Sequence, residues 1–141
     1  MGRSPDRHLA PTRPLLSVEI VAGRLPAIRM LVETLARDCG LPAERASDWV
    51  TAVNELMANV VRHGGGAGHL RVWADRDLFC EVRDGGPGFA ADPYVGRQDR
   101  PVPTGEGGMG LWIARQMTDD LKIDSGPSGT VVRIRTHMPR A

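Results

Sequence analysis

Residues 41–66, LPAERASDWVTAVNELMANVVRHGGG, read as one helix with two very different sides, and that contrast limits what the chain can fold into. Pro42 suits a first helical turn, Glu44 complements the positive end of the helix dipole, and the glycines from 64 onward close the segment. Trp49, Val53, Leu56, Met57 and Val60 fill an apolar arc that needs a second layer to cover it. Glu55, Asn59 and His63 stand four residues apart. At about 100° per residue they drift by only about 40° per step and so share one polar edge. A solvated edge is the plain reading, because a carboxylate and an amide at this spacing are common on helix surfaces. Asn59, a poor helix former placed in mid-helix, asks for a further reason.

The flanking segments supply the second layer. LLSVEIVA (15–22) is short, apolar and β-branched, as a strand requires, and LPAIRMLVETLARDCG has Ile28, Leu31, Val32, Leu35 and Ala36 at helical spacing, with Gly40 as its stop. HLRVWADRD and LFCEVRDGG alternate apolar and polar residues around a polar turn at Asp75 to Asp77, which predicts an antiparallel hairpin. MGLWIARQMTDDL predicts a short amphipathic helix, and KIDS with GTVVRIRTHM predicts a closing pair of strands. Strand, helix, helix, hairpin, loop, helix, hairpin is the order of a two-layer α/β sandwich of the α+β kind. Its sheet is expected to be mixed, largely antiparallel, and covered by helices on one face.

The chain has 141 residues, the size of one domain. Residues 1–14, rich in Pro and Arg with little to bury, are expected to be a disordered tail, and the domain is expected to occupy 15–141. Eighteen basic against 17 acidic residues leave no global field to attract nucleic acid or an anionic membrane. No apolar run suits a membrane span and the opening lacks the centre of a secretory signal, so a cytoplasmic protein is expected. Cys39 and Cys80 lie in or beside apolar segments without metal-ligand spacing and read as reduced core thiols.

Three glycine clusters remain. DGGPGF places Asp84 after a strand, with Gly86 and Gly88 around Pro87. It reads as a tight turn, or as a carboxylate able to accept from an exocyclic ring amine beside backbone that a flat ring can approach. GEGGMG (105–110) spells G-x-G-x-x-G, but the preceding GRQDRPVPT cannot be the strand that the dinucleotide fingerprint needs. What survives is glycine-rich backbone entering a helix near Leu111, where free N–H groups favour an anion such as phosphate. GPSGTVV is a hairpin turn that could offer the Thr130 hydroxyl to a ring edge. No G-x-x-x-x-G-K-[ST] occurs, which excludes a P-loop.

Taken in order, E-x-x-x-N-x-x-x-H (55–63), D-x-G-x-G-F (84–89), G-x-G-L (108–111) and G-T (129–130) resemble the N, G1, G2 and G3 boxes of the histidine-kinase-like ATPases. Within that superfamily the chain looks most like the bacterial anti-sigma factor serine kinases, over roughly residues 15–138. The resemblance implies a site for ATP and Mg²⁺. Glu55 would be the general base, Asn59 the Mg²⁺ ligand, and His63 a residue near the phosphates. Asp84 would accept from the adenine amine, with Gly86, Gly88 and Thr130 shaping that pocket. Gly108, Met109, Gly110 and Leu111 would hold phosphate oxygens, and residues 90–107 would form a lid that Pro101 and Pro103 stiffen. It further implies a homodimer that sequesters a sigma factor and phosphorylates a serine on an anti-anti-sigma protein of the STAS type, with Arg29 facing partners.

Two alternatives share these motifs. The ATPase domain of a sensor histidine kinase would need an adjoining helical segment with a phospho-accepting histidine, and His8, His63, His69 and His137 are not so placed. A non-catalytic nucleotide-binding partner switch would not need both Glu55 and Asn59.

Overall fold

The computed structural model describes residues 13–63, 65–85 and 108–139. These residues form strand β1 (Leu16–Val21), helices α1 (Leu25–Asp38) and α2 (Ala43–His63), and strands β2 (Ala67–Asp75) and β3 (Asp77–Asp84). They continue with helix α3 (Gly108–Gln116) and strands β4 (Asp120–Gly126) and β5 (Gly129–His137). The sheet order is β1-β2-β3-β5-β4, and all four pairings are antiparallel. Among the described residues the sheet is antiparallel throughout, in line with the largely antiparallel sheet expected, and holds no parallel pair. Two helices rather than one lie between β1 and β2, so the chain re-enters the sheet in the opposite direction. β1 begins one residue after the expected domain boundary, and residues 1–12 of the expected tail lie outside the described residues.

Helix ends follow local chemistry. α1 stops where Gly40 turns left-handed at φ 97°, with Gly40 N–H donating to Arg37 O and Leu41 N–H to Ala36 O. α3 is shorter than its apolar spacing predicts. The Thr118 hydroxyl donates back to Ala114 O at 2.8 Å, while Asp119 leaves the helix. The Asp119 carboxylate accepts from His137 N–H at 2.7 Å, from Thr136 Oγ1 at 3.1 Å and from Arg45 Nη2 at 3.1 Å. Burial would raise its pKa, but these hydrogen bonds and the neighbouring positive charges hold it below the usual carboxylate range. Asp119 thus clamps the first turn of α2 to the end of β5.

Strand alternation gives the sheet two unlike faces. On one, Ile20, Leu70, Val72, Leu78, Cys80, Val82, Val132 and Ile134 are buried against Ile28 and Val32 of α1, Trp49, Leu56 and Val60 of α2, and Leu111 and Ala114 of α3. Each of the larger side chains contributes about 1.5–3 kcal/mol by leaving water. Both cysteines are free thiols, as the sequence predicted; burial pushes the Cys80 thiol far up, helped by the neighbouring Glu81 charge.

Among the described residues no helix covers the opposite face, yet it too has a buried centre. Trp73 and Phe79 stack with centroids 5.3 Å apart, and the Arg71 and Arg133 guanidinium carbons lie 5.8 and 5.7 Å from the Trp73 ring centroid. Glu81, only 1% exposed, accepts from Arg71 Nη2 (2.7 Å) and Arg83 Nε (2.9 Å) on Oε1, and from Arg133 Nη2 (2.8 Å) on Oε2. Burial would raise its pKa; the three arginine hydrogen bonds prevail and hold it at about 2. No helix among the described residues is long and apolar enough to cross a membrane.

Candidate functional site

The polar edge of α2 is not a solvated stripe. Its apolar arc is fully buried, which fixes the rotation of the helix, and Asn59 is only 8% exposed. What covers it is the start of α3. Leu111 and Ala114 anchor α3 in the core, and its first turn crosses α2 at Gly110. A Cβ at Gly110 would stand 2.8 Å from Glu55 Oε1 and 3.5 Å from Asn59 Oδ1. Only a residue without a side chain lets the two helices meet here without moving those groups. The structure therefore brings Glu55 and Asn59, neighbours on α2, together with the glycine-led N-terminus of α3, about fifty residues further along the chain.

Asn59 is the most informative of them. Its Oδ1 accepts from Arg62 Nη2 at 3.2 Å, while its Nδ2 is buried with no hydrogen-bond partner among the described residues. A buried amide left unpaired costs about 1–3 kcal/mol, a penalty that a ligand oxygen would remove. Arg62 was not singled out from the sequence. Its place three residues after Asn59 on the same helix is the signal for such a contact, and it brings a positive charge to the edge beside the α3 N-terminus. The arrangement can receive an anion with oxygen atoms: the N-terminus of α3 and the Arg62 guanidinium meet at Gly110, beside an amide whose N–H has no partner among the described residues.

At the end of β3, Asp84 pairs in register with Gly68 on one side and Thr130 on the other. Thr130 is buried, with its Oγ1 2.9 Å from Ser125 Oγ. Gly129, at φ 137°, holds the turn tight: a Cβ there would fall 2.2 Å from Asp84 O, so no other residue fits. A Cβ on Gly68 would reach Val60 Cγ1 at 2.9 Å, which places this strand end beneath the C-terminal half of α2, the half that carries Asn59 and His63. Gly86, Gly88 and the expected lid at 90–107 lie outside the described residues. Gly108 opens α3, followed by Met109, Gly110 and Leu111.

These residues fit a nucleotide with its metal. Among the described residues no group of three or more His, Cys, Asp or Glu gathers to hold a metal ion. A Mg²⁺ bound here would take its protein ligand from Asn59 Oδ1 and the rest of its shell from water and phosphate, the way Mg²⁺ is commonly held. Grooves of about 530 and 550 Å³ line the helix-free face of the sheet and not this edge.

Residues 20–136 match the model of the histidine kinase-like ATPase domain. The chain belongs to that family. Among curated relatives of this histidine kinase-like ATPase is the anti-sigma F factor of Bacillus licheniformis, 28% identical over 103 residues, covering 64% of this chain and 68% of the relative. Among solved structures, the RsbU and RsbW domains of Rv1364c from Mycobacterium tuberculosis superpose with a TM-score of 0.62 at 19% identity, over 94% of this chain. The match takes in 34% of that longer polypeptide. The mycobacterial sensor histidine kinase MprB gives a TM-score of 0.52 at 17% identity, covering 89% of this chain and 100% of that one. At these identities the structures speak for the fold.

Proposed function

We propose that this protein is an ATP-binding anti-sigma factor that sequesters a sigma factor and, with Mg²⁺, phosphorylates a serine on an anti-anti-sigma protein of the STAS type. The likeness to the anti-sigma F factor supports this reading. The observation that carries it is the meeting of Glu55, Asn59 and the α3 N-terminus at Gly110. When bound, ATP would supply the phosphoryl group and Mg²⁺ would offset its negative charge. Glu55 takes the proton of the attacking serine hydroxyl onto its carboxylate. Asn59 would hold the metal through Oδ1, and its Nδ2–H, unpaired among the described residues, would donate to a phosphate oxygen. The N–H groups from Gly108 to Leu111, with Arg62 and His63, hold the remaining phosphate oxygens and exclude water from them. Asp84 accepts from the adenine amine, with Thr130, Gly86 and Gly88 shaping the ring pocket.

Partners would meet α1. Arg29 is half-buried and donates to Asn54 Oδ1 at 3.0 Å, one residue from Glu55, and beside it Met30 and Leu31 are exposed apolar side chains. A homodimer in the cytoplasm completes the reading.

The test is transfer of radiolabelled γ-phosphate to a candidate anti-anti-sigma protein, alongside calorimetric ATP binding. Glu55→Ala should reduce transfer by about 10²–10⁴-fold with nucleotide affinity nearly unchanged. Equal loss of both would remove the base assignment, and transfer undiminished by the change would remove the catalytic reading altogether. Asn59→Ala should abolish the Mg²⁺ dependence of ATP binding.

A further inference from the structure

The sheet ends in β1 and β4, each paired on one side only. β4 is matched to β5 along its whole length, and among the described residues no strand joins its outer side. An edge strand presents a row of unpaired N–H and C=O groups ready to receive another strand, and charge commonly keeps the wrong strand away. The charges on β4 therefore decide what it can accept. Lys122 and Asp124 are exposed, two residues apart and so on the same face of the sheet, with the half-buried Ile123 between them.

That spacing is self-complementary. In an antiparallel pair of identical strands related by a two-fold axis at Ile123, Lys122 meets the partner's Asp124, Asp124 meets the partner's Lys122, and all seven residues of the strand find an opposite. Both crossings join opposite charges, which favours cross-strand pairing. Asp120 falls opposite the partner's Gly126, which brings neither charge nor side chain. An axis at Lys122 or Asp124 would set like charges face to face, and one at Leu121 or Ser125 would use less than half of the strand. Lys122 keeps an interaction within its own chain, so what the axis decides is the sign of the charge placed opposite it. The other edge lacks this property: Glu19 is the only charge on β1, with no cation on that strand to meet it.

We propose that β4 is the docking edge for a second copy of this chain, joined antiparallel about Ile123 so that one continuous sheet runs through both copies. Head-to-tail pairing of β4 with β1 would leave a free edge on every copy and grow without closing, whereas the two-fold closes at a dimer. This names the surface of the homodimer in the proposed function; it rests on that part of the reading and on none of its nucleotide chemistry.

Sedimentation velocity of the full chain over a range of concentrations tests it, with the variants Lys122→Asp and Asp124→Lys. The wild type should dimerise. Either variant alone sets like charges opposite each other at both crossings and should weaken dimerisation about ten-fold or more. An equal mixture of the two should form a heterodimer as tight as the wild type, because every crossing then joins Asp to Lys. The double variant Lys122→Asp/Asp124→Lys should dimerise with itself for the same reason. Melting temperature checks the fold of each variant; should a single variant melt early, the double variant carries the test, a dimer supporting the proposal and a monomer overturning it. A monomeric wild type, single variants that dimerise as the wild type does, or a mixture that stays monomeric would also overturn it. ATP affinity measured on the same samples should be unchanged throughout, so a failure of the nucleotide site would show separately.

Discussion

One face of the five-stranded sheet is covered by three helices; the other is covered by the side chains of its own arginines. Both contain residues from which water is almost wholly excluded: Trp49 sits under the helix layer at 1% exposure, and Trp73 on the open face has the same value. A second layer is therefore not needed to bury a large ring, because long guanidinium-bearing stems can close over it while keeping their charged heads at the surface. The two modes of covering differ in what they respond to. Apolar packing is indifferent to pH, whereas an arginine canopy holds only while Glu81 stays ionised.

The largest test of that contrast is a pair of truncations. Trp49→Ala should cost about 3–5 kcal/mol in denaturant unfolding, because close-packed neighbours cannot collapse into the space. Trp73→Ala should cost visibly less, since Arg71 and Arg133 can fold inward; equal losses would make the open face a second rigid core. Acid titration comes next. The folded pKa of Glu81, about 2, lies below its ordinary 4.5, so its stabilisation is present above the unfolded value and is lost as pH falls through the folded one. The expected loss is about 3 kcal/mol between about pH 5 and pH 2, and Glu81→Gln should flatten that part of the stability curve. A smaller effect is expected at the helix-covered site. Gly110→Ala meets only the flexible ends of Glu55 and Asn59, so melting should barely move, while phosphoryl transfer should drop about ten-fold or more because Glu55 is pushed aside. Arg83→Gln, which removes the most exposed of the three partners of the buried Glu81 and leaves the other two in place, should cost about 1 kcal/mol in denaturant unfolding.

The sequence makes some of this plain. The apolar arc of α2 fixes its rotation, so the alignment of Glu55, Asn59 and His63 along one edge follows from spacing alone. Glycine just ahead of Leu111 marks the N-terminus of α3. The meeting of the two at Gly110 depends on how α3 packs across α2, a long-range contact that no local pattern encodes. Arg71 opposite Glu81 is implied by the turn at Arg76, which sets the β2–β3 register. Arg133 opposite Glu81 is not, because β5 joins β3 only after a crossover through α3 and β4. The early end of α3 escapes for a similar reason: Asp119 is drawn away by partners on β5 and α2 that lie far off in the chain.

That clamp at Asp119 governs alignment at a distance. Arg45 sits about 21 Å along the α2 axis from Asn59, so a tilt of about 3° about the anchored end would swing the amide through about 1 Å. Misplacement of that size can lower a rate a hundred-fold. A carboxylate on the far side of the domain thus acts as the bearing of a long lever, and loosening it, as in Asp119→Asn, would register first as poor aim at the other end and only later as lost stability.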